Sequence, residues 1–204
     1  MEQTRPTRAN GRAKRKAILE AALEVFAARG YRGTSLTEIA KRVGMTQPGL
    51  LHHFGTKEGL LLEVVETQEQ RTAEQVAKHL QSGEVRLDEA IRTLGTLNQH
   101  LPVEQMLLAT LSTEAIHSEH PLHEHFKNVY ESQRRALAAL VAVEQQSGRL
   151  RTVIDAGSIA REVIATLDGL RLQWLLDPEN VHLDEATQAY AVRISTELAT
   201  PTRR

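Results

Sequence analysis

The sequence predicts an all-α protein, and three observations carry that prediction. Ala, Leu, Glu, Arg and Gln are plentiful while only 3% of residues are aromatic, a composition of strong helix formers. Twelve glycines and six prolines in 204 residues leave long stretches without a breaker. Apolar residues recur three and four apart, and neither alternating β-branched runs nor a repeat of fixed period is present. About nine helices are expected.

The first helix is expected over Arg12 to Arg29, with Ile18, Ala22, Val25 and Phe26 on one face and Gly30 as its stop. Ser35-Leu36-Thr37-Glu38 has the spacing of a capping box, in which the Ser35 hydroxyl and Glu38 carboxylate each satisfy a free N–H, so a second helix starts at Leu36. It carries Ile39, Ala40 and Val43 and ends at Gly44, a residue suited to a left-handed turn. Met45 returns inward, Thr46 caps a third helix, Pro48 fits its first turn and Leu50 rejoins the core. Two short helices across a glycine turn form a helix-turn-helix, or an ordinary helical hairpin if the pattern stands alone.

Charge supports the first reading. Up to Lys57 the chain carries 11 Lys and Arg against 4 Asp and Glu, while the remainder carries 14 against 22. A compact basic segment joined to an acidic one suits a module that binds a polyanion beside a domain that avoids it. The absence of cysteine excludes disulfides, thiol nucleophiles and thiolate metal sites and fits a reducing cytoplasm. Apolar stretches such as Ala136 to Val143 fall short of the roughly 20 residues of a membrane helix, so no membrane partner is expected. The opening MEQTRPTRANGR is polar and basic, unlike a secretory signal. A cytoplasmic protein is expected.

Taken in order, Ala21 to Tyr31 (AALEVFAARGY), Thr34 to Ala40 (TSLTEIA), Val43 to Leu50 (VGMTQPGL) and His53 to Leu61 (HFGTKEGLL) resemble the N-terminal domain of TetR-family, tetracycline-repressor-like transcriptional regulators. The resemblance implies a homodimeric repressor of double-stranded operator DNA. Its three-helix head, residues 1–56, joins a helical effector-binding and dimerisation body, residues 57–204. It implies DNA contacts from Thr34, Ser35, Thr46, Gln47, Pro48, Gly49, Leu51, His52, His53 and Lys57. Gln47 is expected at a base edge and Thr34, Thr46, His53 and Lys57 at phosphates. The family's usual aromatic pair is replaced by Leu51 and His53, which can offer an apolar contact to a thymine methyl and a donor to phosphate respectively.

The body is expected as helices over Lys57 to about Leu80, capped by Thr56 and ended at Ser82-Gly83; Leu87 to His100; Val103 to His117; Pro121 to Gln146; Asp155 to Leu176; and Asp184 to Leu198. On the last two, Ile159, Val163, Leu167, Leu170 and Trp174, with Tyr190, Ile194 and Leu198, are the residues the resemblance implies for a four-helix dimer interface. Asn98, Glu114, Tyr130, Gln133 and Arg171 interrupt apolar runs and are candidates to line a pocket for a small-molecule effector.

His117, His120, His123 and His125 fall within nine residues of one another. They suggest a metal sensor or sequestering protein as the alternative function, against a plain polar loop. No nucleophile elbow, phosphate-cradling glycine loop or HExxH pattern is present, so enzymatic activity, cofactors and a resident metal are not expected.

Overall fold

The computed structural model describes residues 8–79 and 85–200. Among the described residues it contains nine helices: α1 (Arg8–Gly33), α2 (Leu36–Arg42), α3 (Gln47–Phe54), α4 (Lys57–His79), α5 (Leu87–Asn98), α6 (Pro102–Glu114), α7 (His123–Gln146), α8 (Ala156–Leu176) and α9 (Leu183–Leu198). An isolated bridge between Leu150 and Ala199 is the β-type pairing seen there.

Local chemistry sets most of the ends. Thr46 Oγ1 accepts from the Gly49 N–H at 3.3 Å, Thr56 Oγ1 from Gly59 at 3.0 Å and Asp155 Oδ1 from Ser158 at 2.9 Å, each satisfying a first-turn donor. Gly44 turns the chain between α2 and α3 at φ 63°. The Met45 N–H then reaches back to the Ala40 carbonyl at 2.8 Å.

Two expectations need correction. Ser35 makes no side-chain cap; the Glu38 carboxylate pairs instead with Arg29 at 2.9 Å and Arg42 at 3.4 Å, because charged donors outcompete a backbone N–H. Gly30 interrupts the first helix where a stop was expected, with non-helical dihedrals (φ 66°, ψ −174°), and a further helical turn runs on to Gly33. Helices α5 and α6 end sooner than expected, at Asn98 and Glu114, and α7 starts at His123 rather than Pro121. The expected end at Leu80 and the Ser82-Gly83 break lie outside the described residues.

Two apolar cores organise the packing. In the first, Ile18, Phe26, Ile39, Leu50, Leu60 and Leu61 from α1 to α4 meet Leu107 and Leu111 of α6. In the second, Leu87, Ile91, Val141, Ile159, Val163 and Ile194 join α5, α7, α8 and α9. Each fully buried side chain of this kind contributes about 1.5–3 kcal/mol relative to exposure. Helix α6 therefore belongs to the head's core although it follows α5 in the chain. Gly95 lets α9 approach α5 so closely that a Cβ there would lie 1.7 Å from Thr187 Oγ1.

Candidate DNA-binding surface and effector cavity

The N-terminal turn of α3 projects from the head. Thr46, Gln47, Pro48 and His52 are exposed, as is Ser35 at the start of α2, while Gly49, Leu51 and His53 are half-buried. The Gln47 side-chain Oε1 accepts from the Thr37 hydroxyl at 2.7 Å, which fixes the side chain and leaves its NH2 group to donate elsewhere. Thr37 was not anticipated from sequence.

Two predicted phosphate contacts are differently engaged. Thr34 is buried and donates its hydroxyl to the Gly30 carbonyl at 2.6 Å, so it braces the kink instead of facing outward. Lys57 Nζ lies 4.6 Å from the centroid of the Tyr31 ring, and burial lowers its pKa. Arg15 organises the head from within: its Nε donates to Glu63 Oε1 at 2.7 Å and its Nη1 to the His53 carbonyl at 2.9 Å. The same guanidinium stacks on Phe54 at 4.5 Å, so one residue of α1 ties α3 to α4.

A joint connects this head to α6. Glu114 Oε2 accepts from the Tyr31 N–H at 2.7 Å. The carboxylate fits there because residue 30 is glycine; a Cβ would stand 2.2 Å from Glu114 Oε1. Glu114 is therefore not a pocket residue, the first correction to that set. Beside it, the Tyr31 ring meets His120 edge-on at 5.3 Å. Tyr31 also hydrogen-bonds Glu58, and burial with this bond pushes its pKa up to about 12.

Helices α4, α6, α7 and α8 line a half-open cavity of about 410 Å³. Ala73, Leu108, Phe126 and Val129 supply apolar wall; Glu69, Tyr130, Gln133, Asp168 and Arg171 supply polar groups. Asp168 accepts from the Tyr130 hydroxyl at 2.8 Å and from Arg171 Nη2 at 2.9 Å. Of the five predicted lining residues, Tyr130, Gln133 and Arg171 are at the cavity. Asn98 is not: its Oδ1 accepts from Gln105 at 3.2 Å. Asp168 escaped the sequence reading, although its place one helical turn before Arg171 was a usable signal.

The predicted interface residues are also displaced. Ile159, Val163, Trp174, Tyr190, Ile194 and Leu198 are buried within the protomer, and Leu167 and Leu170 pack partly buried against the same core. The two helices have a second, outward face. There Ala165, Gly169, Leu172 and Leu176 recur along α8 and Ala189 and Val192 along α9, with Leu172 and Val192 each 52% and Leu176 77% exposed.

The histidines do not converge. His120 is buried and its Nδ1 accepts from the Leu122 N–H at 3.2 Å; His123 Nδ1 meets the Ala115 carbonyl at 2.8 Å; His125 Nε2 meets Glu69 at 3.0 Å. His117 is exposed. Among the described residues no group of three or more His, Asp or Glu is placed to hold a metal ion, so the metal-centre reading gains no geometric support. His120 and His123 instead secure the turn from α6 to α7, and His125 ties α7 to α4. Nor is any described helix long and apolar enough to cross a membrane.

Comparison with known proteins agrees with this geometry. Residues 18–64 match the family model for bacterial regulatory proteins of the tetR family, and residues 83–199 match the model for the BetI-type transcriptional repressor C-terminal domain. The chain is 25% identical over 175 residues to the HTH-type transcriptional regulator PksA of Bacillus subtilis, covering 84% of this chain and 83% of that protein. It is 45% identical over 53 residues to RutR of Escherichia coli, a match confined to 26% of this chain and 25% of RutR. A putative transcriptional regulator from Saccharomonospora viridis, solved in complex with choline, superposes with a TM-score of 0.79 at 22% identity, covering 93% of this chain and all of that one. With a helix-turn-helix head followed by a BetI-type body, the chain belongs to the TetR family of transcriptional regulators.

Proposed function

We propose that this regulator is a homodimeric repressor in the cytoplasm that holds double-stranded operator DNA through its heads, residues 1–56. A small molecule in the body, residues 57–204, releases it. The observation that carries this reading is the sharing of elements. Helices α4 and α6 each line the cavity, through Glu69 and Leu108, and each packs in the head's core, through Leu61 and Leu111. An effector and an operator therefore act on the same two helices.

On DNA, Gln47 is the residue placed to read a base, since its fixed oxygen leaves the NH2 to donate to a base acceptor. Ser35, Thr46, Pro48, Gly49, His52 and His53 position the helix on the backbone, and Leu51 offers an apolar contact to a thymine methyl. Lys57 would leave Tyr31 to reach a phosphate. The outward apolar stripe of α8 and α9 is the surface that supports dimerisation, in place of the core residues first expected. Choline is the ligand of the Saccharomonospora viridis protein and suggests an effector of similar small size here.

A gel shift on the DNA upstream of the protein's own gene, with unrelated DNA as competitor, tests the repressor reading. Retention of one shifted band against a large excess of competitor is expected, and equal competition by unrelated DNA would contradict sequence-specific binding.

A further inference from the structure

Helix α2 does more than pack against α3. Thr67, Thr113, Thr187 and Thr196 each donate their hydroxyl to the carbonyl four residues back in their own helix, at 2.7 to 2.8 Å, a common outlet for a threonine inside a helix. Thr37 has no such partner in α2. It stands in the first turn of that helix, and the residue four back, Gly33, closes α1. Its hydroxyl reaches across to α3 instead and donates to Gln47 Oε1 at 2.7 Å.

Both side chains are exposed, so the pair stands on the surface that α3 presents. Glu38, the acidic neighbour of Thr37 in the chain, is held by Arg29 at 2.9 Å and by Arg42 at 3.4 Å, and its carboxylate does not draw the Gln47 NH2 away. The amide keeps its oxygen against α2 and offers its nitrogen outward. That orientation bears on which base is read. A glutamine recognises adenine with both ends of the amide, the oxygen accepting from the N6 amino group and the nitrogen donating to N7. Here adenine would have to share the oxygen with Thr37, and an NH2 group presented alone meets the adenine amino group donor to donor. Guanine offers two adjacent acceptors, N7 and O6, on the same edge.

We infer that Thr37 is a specificity-determining residue: by holding Gln47 Oε1 it makes the amide a donor, and so selects guanine over adenine at the base pair that Gln47 reaches. This rests on the reading of Gln47 as the base contact. Thr37 acts through Gln47 and needs no contact with DNA of its own, which makes it a positioning residue.

Selection of duplexes from a random library by the full-length protein gives the preferred sequence, and Gln47→Ala locates the base pair as the one whose preference it erases. Duplexes with guanine, 7-deazaguanine or adenine at that place are then compared in competition binding. The unaltered protein should favour guanine over adenine about 10-fold, and should bind 7-deazaguanine, which lacks the N7 acceptor, more weakly than guanine. Thr37→Val keeps nearly the same shape without the donor and should abolish the guanine preference, because the freed amide can then serve adenine with both ends; Thr37→Ser restores the hydroxyl and should restore the preference. Adenine favoured by the unaltered protein, 7-deazaguanine bound as well as guanine, or a Thr37→Val protein that loses affinity equally for both bases would each overturn the role of Thr37 while leaving Gln47 as the reader. If Gln47→Ala erases no preference at any base pair, the reading of Gln47 falls and the inference with it.

Discussion

Replacing Gly30 by alanine should destabilise the protein by an amount that depends on Glu114. Gly30 at φ 66° and ψ −174° occupies a region essentially reserved for glycine, and a side chain there costs about 1–3 kcal/mol. The new Cβ would also stand 2.2 Å from Glu114 Oε1. The carboxylate must then leave, and the Tyr31 N–H loses its acceptor for a further 1–3 kcal/mol, roughly. The sum is about 2–6 kcal/mol, with the lower half favoured because Glu114 is 30% exposed and water replaces part of the lost bond. In a Glu114→Ala background only the backbone cost remains, about 1–3 kcal/mol. Urea unfolding of the four proteins gives the cycle, and the expected interaction is about 1–3 kcal/mol, well above the usual error of additivity. If Gly30→Ala costs the same in both backgrounds, the carboxylate does not hold the kink.

Gln47→Ala should cost about 1–3 kcal/mol at particular base pairs of the operator, seen as relaxed preference in competition binding; an even loss across all sequences would make Gln47 a backbone contact. Leu172→Asp, on the outward stripe and 52% exposed, should turn the proposed dimer into a folded monomer in sedimentation, and an unchanged dimer would place the interface elsewhere. Gly95→Ala should destabilise by more than the about 1–3 kcal/mol typical of overpacking, since the Thr187 it meets is buried; thermal unfolding measures this. His125 has a raised pKa in the folded protein because of Glu69. Its contribution to stability is therefore fully present below the unfolded value of about 6.5 and fades as pH rises through the higher folded value. Glu69→Gln should remove that decline from the pH profile of stability, and an unaltered profile would show the pair to be inert.

The architecture and the head were largely legible in the sequence because local chemistry determines them. Thr46, Thr56 and Asp155 cap the helices that their spacing announces, and Gly44 turns where a left-handed residue is required. What periodicity leaves open is which apolar face of a helix meets which neighbour. Ile159 and Val163 mark one face of α8 and Leu172 and Leu176 another, and periodicity alone does not say that the first covers the protomer's own core. Polar residues in apolar runs posed the same ambiguity: Tyr130 and Arg171 turned toward a cavity, Asn98 toward Gln105 and Glu114 toward the end of α1. These are contacts between elements far apart in the chain. The close approach that makes Gly30 and Gly95 necessary could not be read from composition, since each looks like an ordinary stop or break.

The same geometry explains how effector and operator can be linked without touching. On α4, Glu63 holds Arg15 in the head, and Glu69, less than two turns further on, borders the cavity. On α6, Ser112 borders the cavity and Glu114 holds the kink at Gly30. A rigid helix cannot shift at one of these positions without shifting at the other, so a ligand that prefers a different spacing of α4 and α6 also prefers a different placement of α3. That preference is all a ligand can contribute, because one that binds both arrangements equally moves neither. The coupling is reciprocal: whatever factor the effector takes from operator affinity, the operator takes from effector affinity. Weakening one of the two links, as Glu114→Ala does for α6, should therefore reduce both factors by the same amount while leaving binding of each ligand alone nearly intact.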